Sequence, residues 1–240
     1  MPHGGEDWGT VGPLSTIYTV EDLGELATRL GSIVTFDRRG NVIWLDDFES
    51  GINKWYALSL LGGSMTWDAV RAYHGAFSCK MATSANTDAY RRMRHYFTYP
   101  AVTKMGFEFA HSMGPEAENL ITLLVTLIRT DYRITAGVQY SKVTGQWQYW
   151  DGAWHNITPT QYLHSDVAMF NVTKMVIDLA TAKYVRLISN NTTFDLSDKS
   201  CQEGVVGAGD FIEMYIQVTA IEDEIAQLWV DNVIVTQNEP

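Results

Sequence analysis

The one basic run in the chain is Tyr90-Arg91-Arg92-Met93-Arg94-His95-Tyr96. On a strand, side chains alternate between faces, so Arg92 and Arg94 share a face with Tyr90 and Tyr96. Two guanidinium groups beside phenol rings could grip an anionic group or an acidic neighbouring subunit. A solvated strand face is the plainer reading. A second cluster is aromatic: Trp147, Tyr149, Trp150 and Trp154. Trp147 and Tyr149 fall on one face of a strand and Trp150 on the other. Exposed rings of this kind stack on sugars, which makes Trp147, Tyr149 and Trp154 candidate glycan contacts. The alternative is that one face is core and the rest is packing across a hairpin.

Catalytic patterns are missing. Glycoside hydrolysis needs two carboxylates about 5 to 10 Å apart. The acidic run Glu222-Asp223-Glu224 is contiguous, so its neighbours point to opposite faces, and it reads as a solvated turn. There is no Gly-x-Ser-x-Gly elbow. The six His are scattered, with no pair at zinc-ligand spacing. Gly204 to Gly209 has no Lys and no helix after it, so it is a loop and not a phosphate cradle. The expectation is a protein that is not an enzyme.

The elements that would carry these residues are mostly strands. Tyr132, Ile134, Ala136, Val138 and Tyr140 alternate with Arg133, Thr135, Gly137 and Gln139. The same period of two runs through Met105 to Phe109, Met175 to Leu179 and Ile212 to Val218. Asp151-Gly152 and Thr144-Gly145 mark tight turns. One helix is expected, capped by Thr19, with Leu23, Leu26, Ala27 and Leu30 on one stripe and Gly31 as its stop. Residues 1–18 read as an extended arm. A hairpin is expected from Ile33–Phe36 and Val42–Leu45. This predicts an all-β protein: an antiparallel two-sheet jelly-roll β-sandwich over 46–240, preceded by an assembly element over 1–45.

The chain has 240 residues, enough for one large β domain, and its net charge is −11 from 17 basic and 28 acidic residues. That charge disfavours nucleic acid and anionic membranes as main partners. The 8 Trp and 12 Tyr suit strands. Residues 1–5 lack the basic and apolar regions of an export signal, so synthesis in a cytoplasm is expected. Cys79 and Cys201 could form one bridge or stay reduced and buried.

Four pieces in order carry a resemblance: Asp46-Asp47-Phe48-Glu49-Ser50-Gly51 with Trp55, then Gly63, then Ala72 to Met81, then Trp229-Val230-Asp231-Asn232-Val233-Ile234-Val235. Together they resemble the jelly-roll sandwiches of carbohydrate-binding modules and their concanavalin-like relatives. The resemblance implies a structural Ca²⁺ where the first and last strands meet, with Glu49 and Asp231 at the two acidic positions and carbonyls from Gly75 to Ser78 nearby. No other cofactor is implied. Residues 14–49 resemble the entry segment of structural proteins from tailed bacteriophages. On that resemblance the expected function is a non-catalytic particle subunit, made in the host cytoplasm and located in the virion. It would assemble as a homo-oligomer, most simply a trimer, and with other particle proteins, through Leu23, Leu26, Leu30 and Trp44. The alternative is a module that binds a glycan through exposed aromatics.

Overall fold

The structure is a computed structural model and describes residues 36–37, 39–98, 103–115, 119–129, 131–165, 169–205 and 209–240. Its strands in chain order begin with β1 (Asn41–Asp46), β2 (Tyr56–Leu60), β3 (Ser64–Asp68), β4 (Ser78–Ala82) and β5 (Tyr90–Thr98). Then come β6 (Lys104–Met113), β7 (Asn119–Arg129), β8 (Tyr132–Ser141), β9 (Gln146–Trp150) and β10 (Trp154–Ile157). The last are β11 (Asn171–Asp178), β12 (Lys183–Ser189), β13 (Thr192–Asp195), β14 (Gln202–Gly204), β15 (Phe211–Ala220) and β16 (Gln227–Gln237). Among the described residues no helix forms.

Two antiparallel sheets result. One has the order β13-β12-β11-β6-β16-β4-β3, with β1 also on β16. The other has the order β10-β9-β8-β7-β15-β5-β2, with β14 also on β8. We call them the first and second sheets. Their facing sides enclose one core. Alternate residues supply it: Ile121, Leu123, Val125 and Leu127 from β7, Ile212, Met214, Ile216 and Val218 from β15, and Phe107, Phe109, Met175 and Ile177 from the first sheet. This is the sandwich that the period of two predicts, and each fully buried Leu, Ile, Phe or Met stabilises it by about 1.5–3 kcal/mol.

Local signals hold at the turns. β9 and β10 are joined through Asp151–Ala153, and Gly152 takes φ 120°, a conformation closed to most side chains. Asp223 sits at the expected turn and caps another loop, accepting from Thr87 N and Oγ1 at 2.8 Å each. Cys79 and Cys201 are free, buried thiols, and burial pushes both up to about 12.

Near the N-terminus the outcome differs from expectation. The arm, the helix with Leu23, Leu26 and Leu30, and residues 33–35 of the hairpin lie outside the described residues. β1 is described, and it pairs with β16 in register from Asn41↔Gln237 to Asp46↔Val233. The sandwich unit therefore begins at Arg39, ahead of the boundary at 46. Trp44 packs inward against Trp55, His95 and Phe97, with ring centroids 5.4, 4.6 and 5.2 Å away.

Candidate functional site

With alternate residues of the second sheet committed to the core, the others point outward, and the register aligns them in rows. One row runs Gln148, Gln139, Thr122, Gln217, Arg92 and Leu58 across β9, β8, β7, β15, β5 and β2. The next row holds Gly137, Leu124, Tyr215, Arg94 and Tyr56. Thr122, Thr135 and Gln139 face away from the core, yet they are only 4%, 8% and 8% exposed. Taller side chains on both flanks shade them. The middle of this face is a floor between two walls, with Thr122, Thr135 and Gln139 around Gly137 and Leu124, which lie in the row that carries Tyr215.

One wall is the ring pair Trp150 and Trp154, at 5.1 Å and tilted by 59°. The three-residue turn sets it by bringing these two residues opposite each other. Trp150 Nε1 donates to Gln202 Oε1 at 2.8 Å, which fixes the ring. The other wall is built on β5 and β15. The Arg92 guanidinium lies 3.8 Å over the Tyr215 ring and 5.0 Å from that of Tyr90. Arg94 lies 5.0 Å over Tyr96 and pairs with Glu213 at 3.2 Å. Burial raises the phenol pKa of Tyr96 and of Tyr215, so both stay neutral and able to donate. The walls are three interstrand spacings apart, roughly 14 Å. Such a trough offers ring faces on its sides and amide, hydroxyl and guanidinium groups along its floor and one flank. On the outer strand positions its only carboxylate is Glu213, so paired-carboxylate hydrolysis has no residues there.

The predicted contact residues divide between the two sides of the sheet. Trp154 lines the trough. Trp147 is 1% exposed in the core, donating from Nε1 to Gln161 Oε1 at 3.2 Å. Tyr149 turns the same way, against Tyr184 and His155. Neither reaches a ligand on the outer face. Trp150 takes that place, and its opposite parity to Trp147 is the signal that finds it.

Glu49 and Asp231 do meet around one loop. Glu49 Oε1 accepts from Ala76 N and Phe77 N at 2.8 and 2.9 Å. Asp231 Oδ2 accepts from Tyr73 N and His74 N at 2.7 and 3.1 Å, and Oδ1 from Asn232 N at 2.7 Å. A bulge in β16 between Asp231 and Ile234, with Asn232 at φ 45°, turns Asp231 into this position. Gly75 is required by close approach: a Cβ there would lie 2.3 Å from Glu49 Oε1, and φ is 70°. Burial, opposed by the three amide donors and reinforced by Glu49, raises the Asp231 carboxyl to about 6.

The residues fit a cation in charge. The pair is negative, and Asn232 Oδ1 is a buried oxygen without a hydrogen-bond partner among the described residues. Hydrogen bonds already close the loop, so calcium would complete this joint and not create it. Among the described residues no cluster of three or more His, Cys, Asp or Glu could hold a metal.

A further cluster lies on the outer face of the first sheet and has no local sequence signal. Lys174 Nζ is 2.7 Å from Glu239 Oε1, and Arg186 Nη2 is 2.5 Å from Glu239 Oε2. Lys174 is 0% exposed. Its residues come from β11, β12 and the C-terminal tail and hold one another, which is a structural arrangement.

No protein-family model matches the chain, and no curated protein matches it in sequence. Solved structures share its fold at low identity. An endo-β-1,4-glucuronan lyase from the fungus Trichoderma reesei is similar at TM-score 0.61 and 10% identity, over 82% of this chain and 96% of that one. A Bacillus subtilis protein of unknown function with a galectin-like fold is similar at TM-score 0.55 and 12% identity, over 83% and 97%. A carbohydrate esterase from the Shiga toxin-encoding bacteriophage phi24B is similar at TM-score 0.53 and 8% identity, over 83% and 100%. These likenesses establish the β-sandwich fold.

Proposed function

We propose that the chain binds a glycan, without hydrolysing it, along the outer face of the second sheet. The observation that carries this reading is the shaded floor of Thr122, Thr135 and Gln139 between Trp150 with Trp154 on one side and Tyr215 with Arg92 and Arg94 on the other. Rings can cover the apolar faces of sugars while the amides and hydroxyls meet their hydroxyl groups. Two of the similar folds are, by name, a glucuronan lyase and a carbohydrate esterase, which agrees with this reading. It takes precedence over the particle subunit expected from the N-terminal residues.

Affinity electrophoresis against neutral and acidic polysaccharides tests it. Retardation is expected in at least one gel and should vanish in the Trp150→Ala, Trp154→Ala double variant. Unretarded migration in all gels, or retardation unchanged in the double variant, defeats the proposal. Two expectations from the sequence stand as proposals beside it. Calcium at Glu49 and Asp231 would raise the melting midpoint by mass action, and identical midpoints with calcium and with chelator remove it. Assembly through the N-terminal segment predicts a smaller mass in solution for a chain starting at Arg39, the point that keeps β1 on β16.

A further inference from the structure

Arg92 is a cation with a neutral partner. Its Nε and Nη2 both donate to Gln217 Oε1, at 2.9 and 2.7 Å, a fork that elsewhere fits a carboxylate. Gln217 is held in place for this, donating through Nε2 to Thr219 Oγ1 at 2.8 Å. The fork therefore fixes the guanidinium without cancelling its charge. Tyr215 and Tyr90 flank it, and Nη1 has no protein partner among the described residues. Two residues along β5, Arg94 spends Nη1 on Glu213, while its Nε is buried and unpaired. Across the face, Arg133 also has a buried, unpaired Nε. The outer strand positions thus carry three guanidinium groups and one carboxylate, Glu213, which only Arg94 contacts, on a chain whose net charge is −11. A half-buried positive charge without a counter-charge is unfavourable in isolation, and an anionic ligand would supply what is missing.

Resting on the glycan-binding reading, we propose that the trough selects acidic sugar chains, with Arg92 holding a uronate carboxylate. Arg92 presents its outer edge to the carboxylate while its inner edge stays on Gln217. Tyr90 and Tyr215 exclude water from the pair. Arg94, already shared with Glu213, reinforces the field. Arginine is required for this geometry, because lysine lacks the planar fork that Gln217 positions.

Calorimetric titration of the full chain with polygalacturonate, alginate and hyaluronan tests the inference, with methyl-esterified polygalacturonate and a neutral galactan as uncharged comparators. The expected result is binding to at least one polyuronate, weakening with added salt, with the esterified chain bound at least about tenfold less tightly than the free acid. Arg92→Gln should reduce polyuronate affinity about tenfold or more. Arg92→Lys should recover only part of that, and both variants should melt as the parent does. Equal binding of free acid and ester, or of polyuronate and galactan, overturns the acidic selectivity and leaves glycan binding standing. Binding of polyuronate that Arg92→Gln leaves unchanged overturns the role of Arg92. No binding to any chain, charged or neutral, defeats both the inference and the reading beneath it.

Discussion

On the outer face of the first sheet, Lys174 and Arg186 are closed off by Glu239; on the outer face of the second, Arg92 meets the neutral oxygen of Gln217 and the Tyr215 and Tyr90 rings, and no carboxylate among the described residues. Both sets begin as basic residues on strand positions that alternate with core residues. The difference is what the rest of the chain brings to them. The C-terminal tail lays a carboxylate over the first set, where Thr236 Oγ1 also donates to Glu239 Oε1 at 2.5 Å. Nothing of the kind covers Arg92 among the described residues. A charge satisfied from within serves the fold, and a charge held in position but left uncancelled is available to a ligand.

The largest expected effect lies on the closed face. Glu239→Ala leaves Lys174 and Arg186 buried beside a lost partner, and removing one member of a buried pair is worth about 3–5 kcal/mol. Thermal melts should show a fall on the order of 10 °C. A change of a degree or two would mean that the two faces do not differ in kind.

Next in size is the core that both faces share. His111 is fully buried beside Thr173, and burial lowers its pKa from 6.5 to about 3. The unfolded chain takes up this proton below about 6.5 while the folded chain refuses it until about 3. Stability therefore falls with acidification through that window, by about 1.4 kcal/mol per pH unit at full effect. Asp231 has the opposite sign: raised from 3.8 to about 6, it favours the folded state as pH falls through 6. Between pH 7 and 5 the two contributions nearly offset, so denaturant midpoints should fall only slightly, and His111→Gln should leave Asp231 unopposed and turn the profile into a rise on acidification. A profile unchanged by that substitution would locate the acid sensitivity elsewhere.

These regions were unequally legible in the sequence. The period of two places Arg92, Arg94, Tyr90 and Tyr96 on one face, and it separates Trp147 from Trp150. It does not say which side of the β9–β10 hairpin meets the core, because both sides carry aromatics. The structure decides it: Trp147 and Tyr149 turn inward and Trp150 outward. The Glu239 cluster has no local pattern at all. Its members at 174, 186 and 239 meet because β12, β11, β6 and β16 are neighbours in the sheet though not in the chain. β1 also has a partner with no local signal: it pairs with β16, almost the whole chain away, while residues 33–35 of the expected hairpin lie outside the described residues. The Glu49 and Asp231 joint was legible because its two ends lie in motifs with a shared resemblance.

The smallest expected effect on stability belongs to the open face. Arg92 is half-buried, its hydrogen-bond acceptor is a neutral amide, and its removal strands no carboxylate. Arg92→Gln should shift the unfolding free energy by no more than about 1 kcal/mol. Gln217 loses a donor but sits close enough to the surface to take water in its place. Loss of the cation also relieves a charge that the fold does not itself cancel. The same substitution that strips the face of its acidic selectivity should thus be nearly silent in a melt, while Glu239→Ala is loud there and leaves the trough intact. Chemical denaturation of both variants, set beside titrations with a polyuronate, reads the two effects independently. If Arg92→Gln destabilises the chain as strongly as Glu239→Ala, the guanidinium on Gln217 is a structural strut, and the contrast between a closed and an open face is lost.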